Sequence, residues 1–350
     1  MDWRQSWTEG EDSPFRGLAE PVRAARYATL TYEVTGRIAR ITFDRPERGN
    51  AITNDTPFDL AHAVERADLD PAVHVICVSG RGTGFCGGYD LGLFAEGGTF
   101  GRAVEGSAAG HDLTGTVLDP VVQARNHERE ATWDPVIDYQ MMSRFTRGFA
   151  SLLYADKPTV AKLHGFCVAG GTDIALHADQ IVAASDTKIG YPPMRVWGIP
   201  TAGLWAHRIG DQRAKRLLFT GDSITGAQAA EWGLAIDAPP PEDLDARTEG
   251  LLERIAAVPV NQLVMAKLAL NAALLAQGVA TSAMVSTVFD GIARHTRQGQ
   301  SFVDRANDAG FRDAVRARDE PFGDHGRSVS PTSPISPPPG RGGCGAAGEG

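Results

Sequence analysis

KPTVAKLHGFCVAGGTDIALHADQIVAA, residues 157–184, carries two apolar runs on either side of a glycine pair. Pro158 to Leu163 is a short apolar run with β-branched residues, and His164 to Ala169 reads as a turn. Gly170 to Ala178 has helical spacing and Gln180 to Ala184 is apolar again, so the order predicted is strand, glycine loop, helix, strand. A helix entered through Ala169, Gly170 and Gly171 leaves its first N–H groups without intrahelical partners. Donors of that kind, at the positive end of a helix, can hold an anion or a developing oxyanion. Asp173 lies one turn into this helix.

Working outward, the pattern repeats. Thr29 to Thr35 and Ile38 to Phe43 alternate around Thr35-Gly36 as a hairpin. Asp55 to Leu69 carries a helical apolar stripe, and Val73 to Val78 reads as a buried strand. Ser79 to Asp90, SGRGTGFCGGYD, is a second glycine-rich turn directly after a strand. Residues 92–135 form an irregular insert, and Val136 to Tyr154 is a helix leading back to the opening stretch. Ile189 to Pro200 holds too much Pro and Gly to be regular, and from Asn261 to Arg318 the spacing is helical almost throughout. Strands alternate with helices over residues 28–235, which makes the class α/β. The division expected is a flexible leader at 1–26, a core at 27–257, a helical region at 258–323 and a disordered Pro/Gly/Ser-rich tail at 324–350.

Composition excludes several functions. The net charge of −9 argues against nucleic acid as the partner. No apolar run approaches the ~20 residues that span a bilayer, and the acidic N-terminus MDWRQSWTEGEDSPF has no secretory h-region, so a cytoplasmic protein is expected. Cys77, Cys86, Cys167 and Cys344 lack metal-type spacing, so no metal is expected. Neither glycine turn matches a Walker or dinucleotide pattern.

Five blocks in order, ITFDRPERGNAI (41–52), GTGFCGGYDL (82–91), KPTVAKLHGFCVAGGTDIAL (157–176), ASDTKIGYPPMRVWGIP (184–200) and LLFTGDSITGAQAAEWGLA (217–235), resemble the crotonase, or enoyl-CoA hydratase/isomerase, family. The resemblance implies a crotonase-like ββα spiral core with a C-terminal helical trimerisation region, and a homotrimer or homohexamer. It implies an acyl-CoA thioester as substrate, with coenzyme A as part of the substrate and no separate cofactor. One N–H from each glycine turn, Gly87 and Gly170 by motif position, would form an oxyanion hole that stabilises a thioester enolate. Asp173 would be the acid/base. Arg45, Ala51, Gly88, Asp90, Leu91, Tyr191 and Trp197 would contact the acyl-CoA.

The chain departs from the hydratase pattern of two glutamates. Asp173 stands at the first position, shorter by one methylene, about 1.5 Å of reach. The second position falls on Pro193, and no Asp or Glu lies between Lys188 and Asp211. Asp173 then acts alone, or Tyr191, Arg195, His127, Asp134, Asp138 or Tyr139 supplies the second group. A non-catalytic acyl-CoA-binding homologue, an isomerase, a thioester hydrolase and C–C bond chemistry are the alternative readings.

Overall fold

In the computed structural model, which describes residues 7–94 and 112–330, β1 (Ala24–Arg26), β2 (Leu30–Thr35) and β3 (Ile38–Phe43) form an antiparallel meander. Gly36 turns the β2–β3 hairpin at a positive φ of 58°, a conformation that suits a residue without Cβ. The strand β1 lies in the stretch expected to be a loose leader; its pairing with β2 supplies the backbone bonds that order it. Helix α1 (Thr56–Leu69) buries its stripe of Leu60, Ala63, Val64 and Ala67 and crosses over to β4 (Val75–Gly80), which runs parallel to β3.

The insert is more regular than its composition predicts. After α2 (Leu91–Phe94), helix α3 (Pro120–Asn126) follows an Asp-Pro start, and α4 (Pro135–Tyr154) follows another. Asp119 and Asp134 accept the N–H groups of Val121 and Val136, which is how such starts are capped. Residues 95–111 of the insert lie outside the described residues.

The opening stretch then runs through β5 (Thr159–Leu163), β6 (Phe166–Val168), α5 (Gly170–Leu176) and β7 (Gln180–Ala183). Residues 166–168, read above as part of a turn, are a strand, because β6 pairs in parallel with β8 (Lys188–Gly190). Pro192–Arg195 is a single 3₁₀ turn, and α6 (Ala202–Ile209), α7 (Asp211–Thr220), β9 (Ser223–Ile224) and α8 (Gly226–Trp232) follow. The main sheet has the order β1-β2-β3-β4-β5-β7, and β6-β8-β9 make a second sheet. Phe43, Ile76, Phe149, Leu152 and Trp205 are wholly buried in the core beneath them, each large side chain stabilising the fold by about 1.5–3 kcal/mol.

The C-terminal region is α9 (Leu244–Ala256), α10 (Val260–Ala276), α11 (Val279–Arg294), α12 (Arg297–Ala309) and α13 (Phe311–Asp319). Met265, Leu268, Leu270, Met284, Val288 and Phe289 are exposed on α10 and α11. Ordered packing runs past the expected boundary at 323. Asp324 is buried against Arg195 Nη1 at 2.6 Å, and Ser330 Oγ accepts the Ser223 N–H at 2.9 Å. The rest of the tail, 331–350, lies outside the described residues, as do residues 1–6. Among the described residues no single helix is long and apolar enough to cross a membrane.

Candidate active site

The two glycine turns, Gly87-Gly88 and Gly170-Gly171, are 83 residues apart in sequence and lie side by side. Cys86 and Cys167 form a parallel bridge that joins them. A Cβ on Gly88 would stand 2.7 Å from the Ala169 Cβ and 3.4 Å from the Gly170 nitrogen, and one on Gly171 would stand 2.5 Å from the Cys86 carbonyl oxygen. A side chain at either place would collide with the facing turn, so both positions suit glycine. Ala169 enters α5 at φ 53°, a left-handed conformation uncommon for alanine. Among the described residues no hydrogen bond claims the Gly170 N–H.

Gly87 is not the partner donor. Its N–H is donated to the Gly49 carbonyl at 2.9 Å, which corrects the motif-based expectation. The neighbouring bridge shows where the turn presents its next N–H. Ile52 accepts the Asp90 N–H and donates to the Gly88 carbonyl, so the Tyr89 N–H lies on the opposite edge from Ile52.

A cavity of about 530 Å³ opens beside these turns. Of the residues expected to meet substrate, Gly87, Ala51, Asp90, Leu91, Tyr191 and Trp197 line it. Gly88, Gly170, Asp173 and Arg45 are not among the lining residues. Arg45 lies beside the cavity without being part of its lining. Its guanidinium is tied to the Ala51 carbonyl at 2.6 Å and to Asp90 at 3.0 Å, so it braces the first loop. Arg48, Arg312, Arg318 and Arg327 bring positive charge to the lining, together with Lys188. Arg195, offered as a second catalytic group, is instead buried against Asp222, Asp319 and Asp324.

Asp173 sits just behind the cavity wall. Its Oδ1 accepts the Thr201 N–H at 2.8 Å and the Thr201 hydroxyl at 3.0 Å. Burial pushes its pKa up from 3.8 to about 7; the bonds from Thr201 oppose the shift, Asp290 adds to it, and a bond from the Tyr191 hydroxyl opposes it again. Tyr191, which does line the cavity, has its own pKa pushed well above 10 by burial and by the charge of Asp173.

Asp290 is the residue that the sequence reading missed. It comes from α11, far from the Pro193 loop in sequence, yet it lines the cavity together with Pro193. Its Oδ1 accepts the Ile199 N–H at 3.0 Å, and its Oδ2 accepts from Arg294, one helical turn on, at 2.5 Å. Residues 199–201 thus bind both carboxylates, Asp290 through Ile199 and Asp173 through Thr201. The signal available was an isolated Asp with Arg four residues later on the otherwise apolar face VSTVFDGIAR. Asp138 and His127, two other residues considered for the second group, lie outside the cavity lining in a cluster of their own.

Two adjoining glycine turns beside a cavity, on a parallel ββα core with a helical C-terminal region, define a crotonase-type protein. The chain belongs to the enoyl-CoA hydratase/isomerase family, whose sequence model matches residues 33–118 and 131–309. An enoyl-CoA hydratase from Mycobacterium smegmatis, known from its crystal structure, is 69% identical with a TM-score of 0.79, over 86% of this chain and 97% of that one. An enoyl-CoA hydratase/isomerase from Xanthobacter autotrophicus Py2 is 24% identical with a TM-score of 0.70, over 85% of this chain and 99% of that one, and shows the fold alone. A Rhizobium meliloti (strain 1021) protein described as a probable enoyl-CoA hydratase is 27% identical over 259 residues, 72% of this chain and 86% of that protein.

Proposed function

We propose that the cavity takes an acyl-CoA thioester and that the protein catalyses hydration or double-bond isomerisation through an enolate. The thioester carbonyl would accept the N–H groups of Gly170 and Tyr89, the latter in the place the motif gave to Gly87. Two fixed donors of this kind favour the enolate over the ground state, and each is worth about 3–4 kcal/mol. Asp290 would be the acid/base that faces C2 and C3 of the acyl chain. Asp173 would be a positioning residue that holds the Tyr191 hydroxyl. Coenzyme A would remain part of the substrate, its phosphates near the arginines that line the cavity, with no separate cofactor and no metal in the reaction. The exposed apolar faces of α10 and α11 would be covered in a homotrimer or homohexamer.

The observation that carries this reading is Asp290, a carboxylate in the wall of the same cavity where the family loop offers only Pro193. The experiment is an assay of purified protein on 2-enoyl-CoA and 3-enoyl-CoA thioesters of several chain lengths, with Asp290→Asn beside wild type. Turnover that falls in the variant supports the assignment. CoA-thioester binding without conversion of any substrate would replace it with the non-catalytic reading.

A further inference from the structure

Outside the cavity, one cluster brings together groups from three helices that nothing in the reaction uses. Asp138, in the first turn of α4, is fully buried. His127 follows α3 and His295 follows α11, each as the residue that closes its helix. The ligand-type atoms of the three lie within 4.8 Å of one another. His127 Nε2 is 3.3 Å from Asp138 Oδ1, and His295 Nε2 is 3.0 Å from Asp138 Oδ2.

Hydrogen bonding fixes how His127 faces the carboxylate. His127 Nδ1 is 2.7 Å from the Gln123 carbonyl, so Nδ1 carries a hydrogen and Nε2 presents its lone pair toward the carboxylate. His127 Nε2 and the Asp138 carboxylate thus face each other in a buried site, and a cation between them would be held by both. Arg294 does not fill that role, because it is paired with Asp290.

We propose that His127, Asp138 and His295 bind one divalent transition-metal ion, zinc in the first instance, as a structural staple between the insert and α11. Two imidazoles and one carboxylate are a donor set that suits zinc, and bonds of ~2.0–2.1 Å in a tetrahedron place ligand atoms ~3.3 Å apart. The surroundings have the character of an outer shell. Gln123 orients His127 through its carbonyl, and Trp133 Nε1 donates to Asp138 Oδ2 at 2.6 Å while its ring stacks on His295 with centroids 4.3 Å apart. Gly291 permits the close approach of α11, since a Cβ there would meet the Asp138 Cβ at 3.0 Å. Asp290 and Arg294 precede His295 on the same helix, so the staple would fix the cavity wall that carries them. This inference stands on its own residues and does not depend on the reaction proposed above.

The test uses untagged full-length protein, stripped with a chelator, reloaded with Zn²⁺ and freed of excess metal by gel filtration. Mass spectrometry of the metal should find one zinc per chain, and Co²⁺ in its place should give a visible d–d band. Asp138→Asn, His127→Gln and His295→Gln should each weaken Zn²⁺ binding by more than the ~10–100-fold typical of losing an outer-shell partner. His207→Ala, at a surface histidine bonded to Gln277, should keep the metal. Folded wild type that takes up neither Zn²⁺ nor Co²⁺ would overturn the proposal, as would full retention of zinc by Asp138→Asn. If a variant does not fold, the wild-type stoichiometry and Co²⁺ spectrum decide the matter alone.

Discussion

Replacing Asp173 by Asn should make the protein more stable at neutral pH, by an amount that grows as pH rises toward about 7 and is level above. The carboxyl pKa is raised from 3.8 to about 7, chiefly by burial. Each unit corresponds to ~1.4 kcal/mol, so the fully ionised carboxylate costs the folded state on the order of 4 kcal/mol. Between the two values the folded chain keeps a proton that the unfolded chain has released. The contribution to stability therefore falls as pH rises from 3.8 to about 7 and is level above. Asn has no proton to lose, and its amide oxygen can accept the same two bonds from Thr201. The stability of the variant minus that of wild type should thus rise by about 3 kcal/mol between roughly pH 5 and pH 8. Urea unfolding followed by circular dichroism across that range measures it. A difference that stays constant with pH would refute the reasoning, because it would mean that ionising Asp173 carries no burial penalty. The same variant should retain most of its turnover if Asp173 acts only through Tyr191.

Three further outcomes follow from the geometry. Asp290→Asn should lower kcat on an enoyl-CoA substrate by about 10²–10⁴-fold with a smaller change in KM, as expected for an acid/base; an unchanged kcat removes Asp290 from the chemistry. Gly170→Ala should lose turnover, since its Cβ would stand 2.7 Å from Ile52 Cδ1 and 2.9 Å from the Tyr89 ring, whereas Gly87→Ala should be tolerated, its nearest contact being 3.5 Å. Equal activity of the two variants in steady-state assays would remove the distinction between these turns. Arg195→Met should destabilise the fold by about 3–5 kcal/mol in chemical unfolding, because three buried aspartates lose their shared cation.

Much of the architecture was legible because its signals are local. The hairpin around Gly36, the stripe of α1 and the order of the opening stretch all follow from residue spacing, and each forms within a residue or two of its expected place. The short strand β6 was not legible. It has three residues, and its pairing with β8 depends on chain that folds back from elsewhere. Helix α3 was hidden by the composition around it, although Asp119-Pro120 marks its start.

The site divides in the same way. Residue order alone places two glycine turns after two strands, a carboxylate one turn into the second helix, and Pro193 across the family pattern. Folding decided that the Gly87 N–H is claimed by Gly49, a residue from another loop. It also decided that Arg45 braces a loop and that Asp173 stands behind Tyr191. It brought Asp290 into the cavity wall from a helix about 100 residues beyond Pro193. A hydrogen bond or a cavity wall depends on which surfaces meet after folding, and spacing along the chain carries that information only for neighbours within a turn or a hairpin.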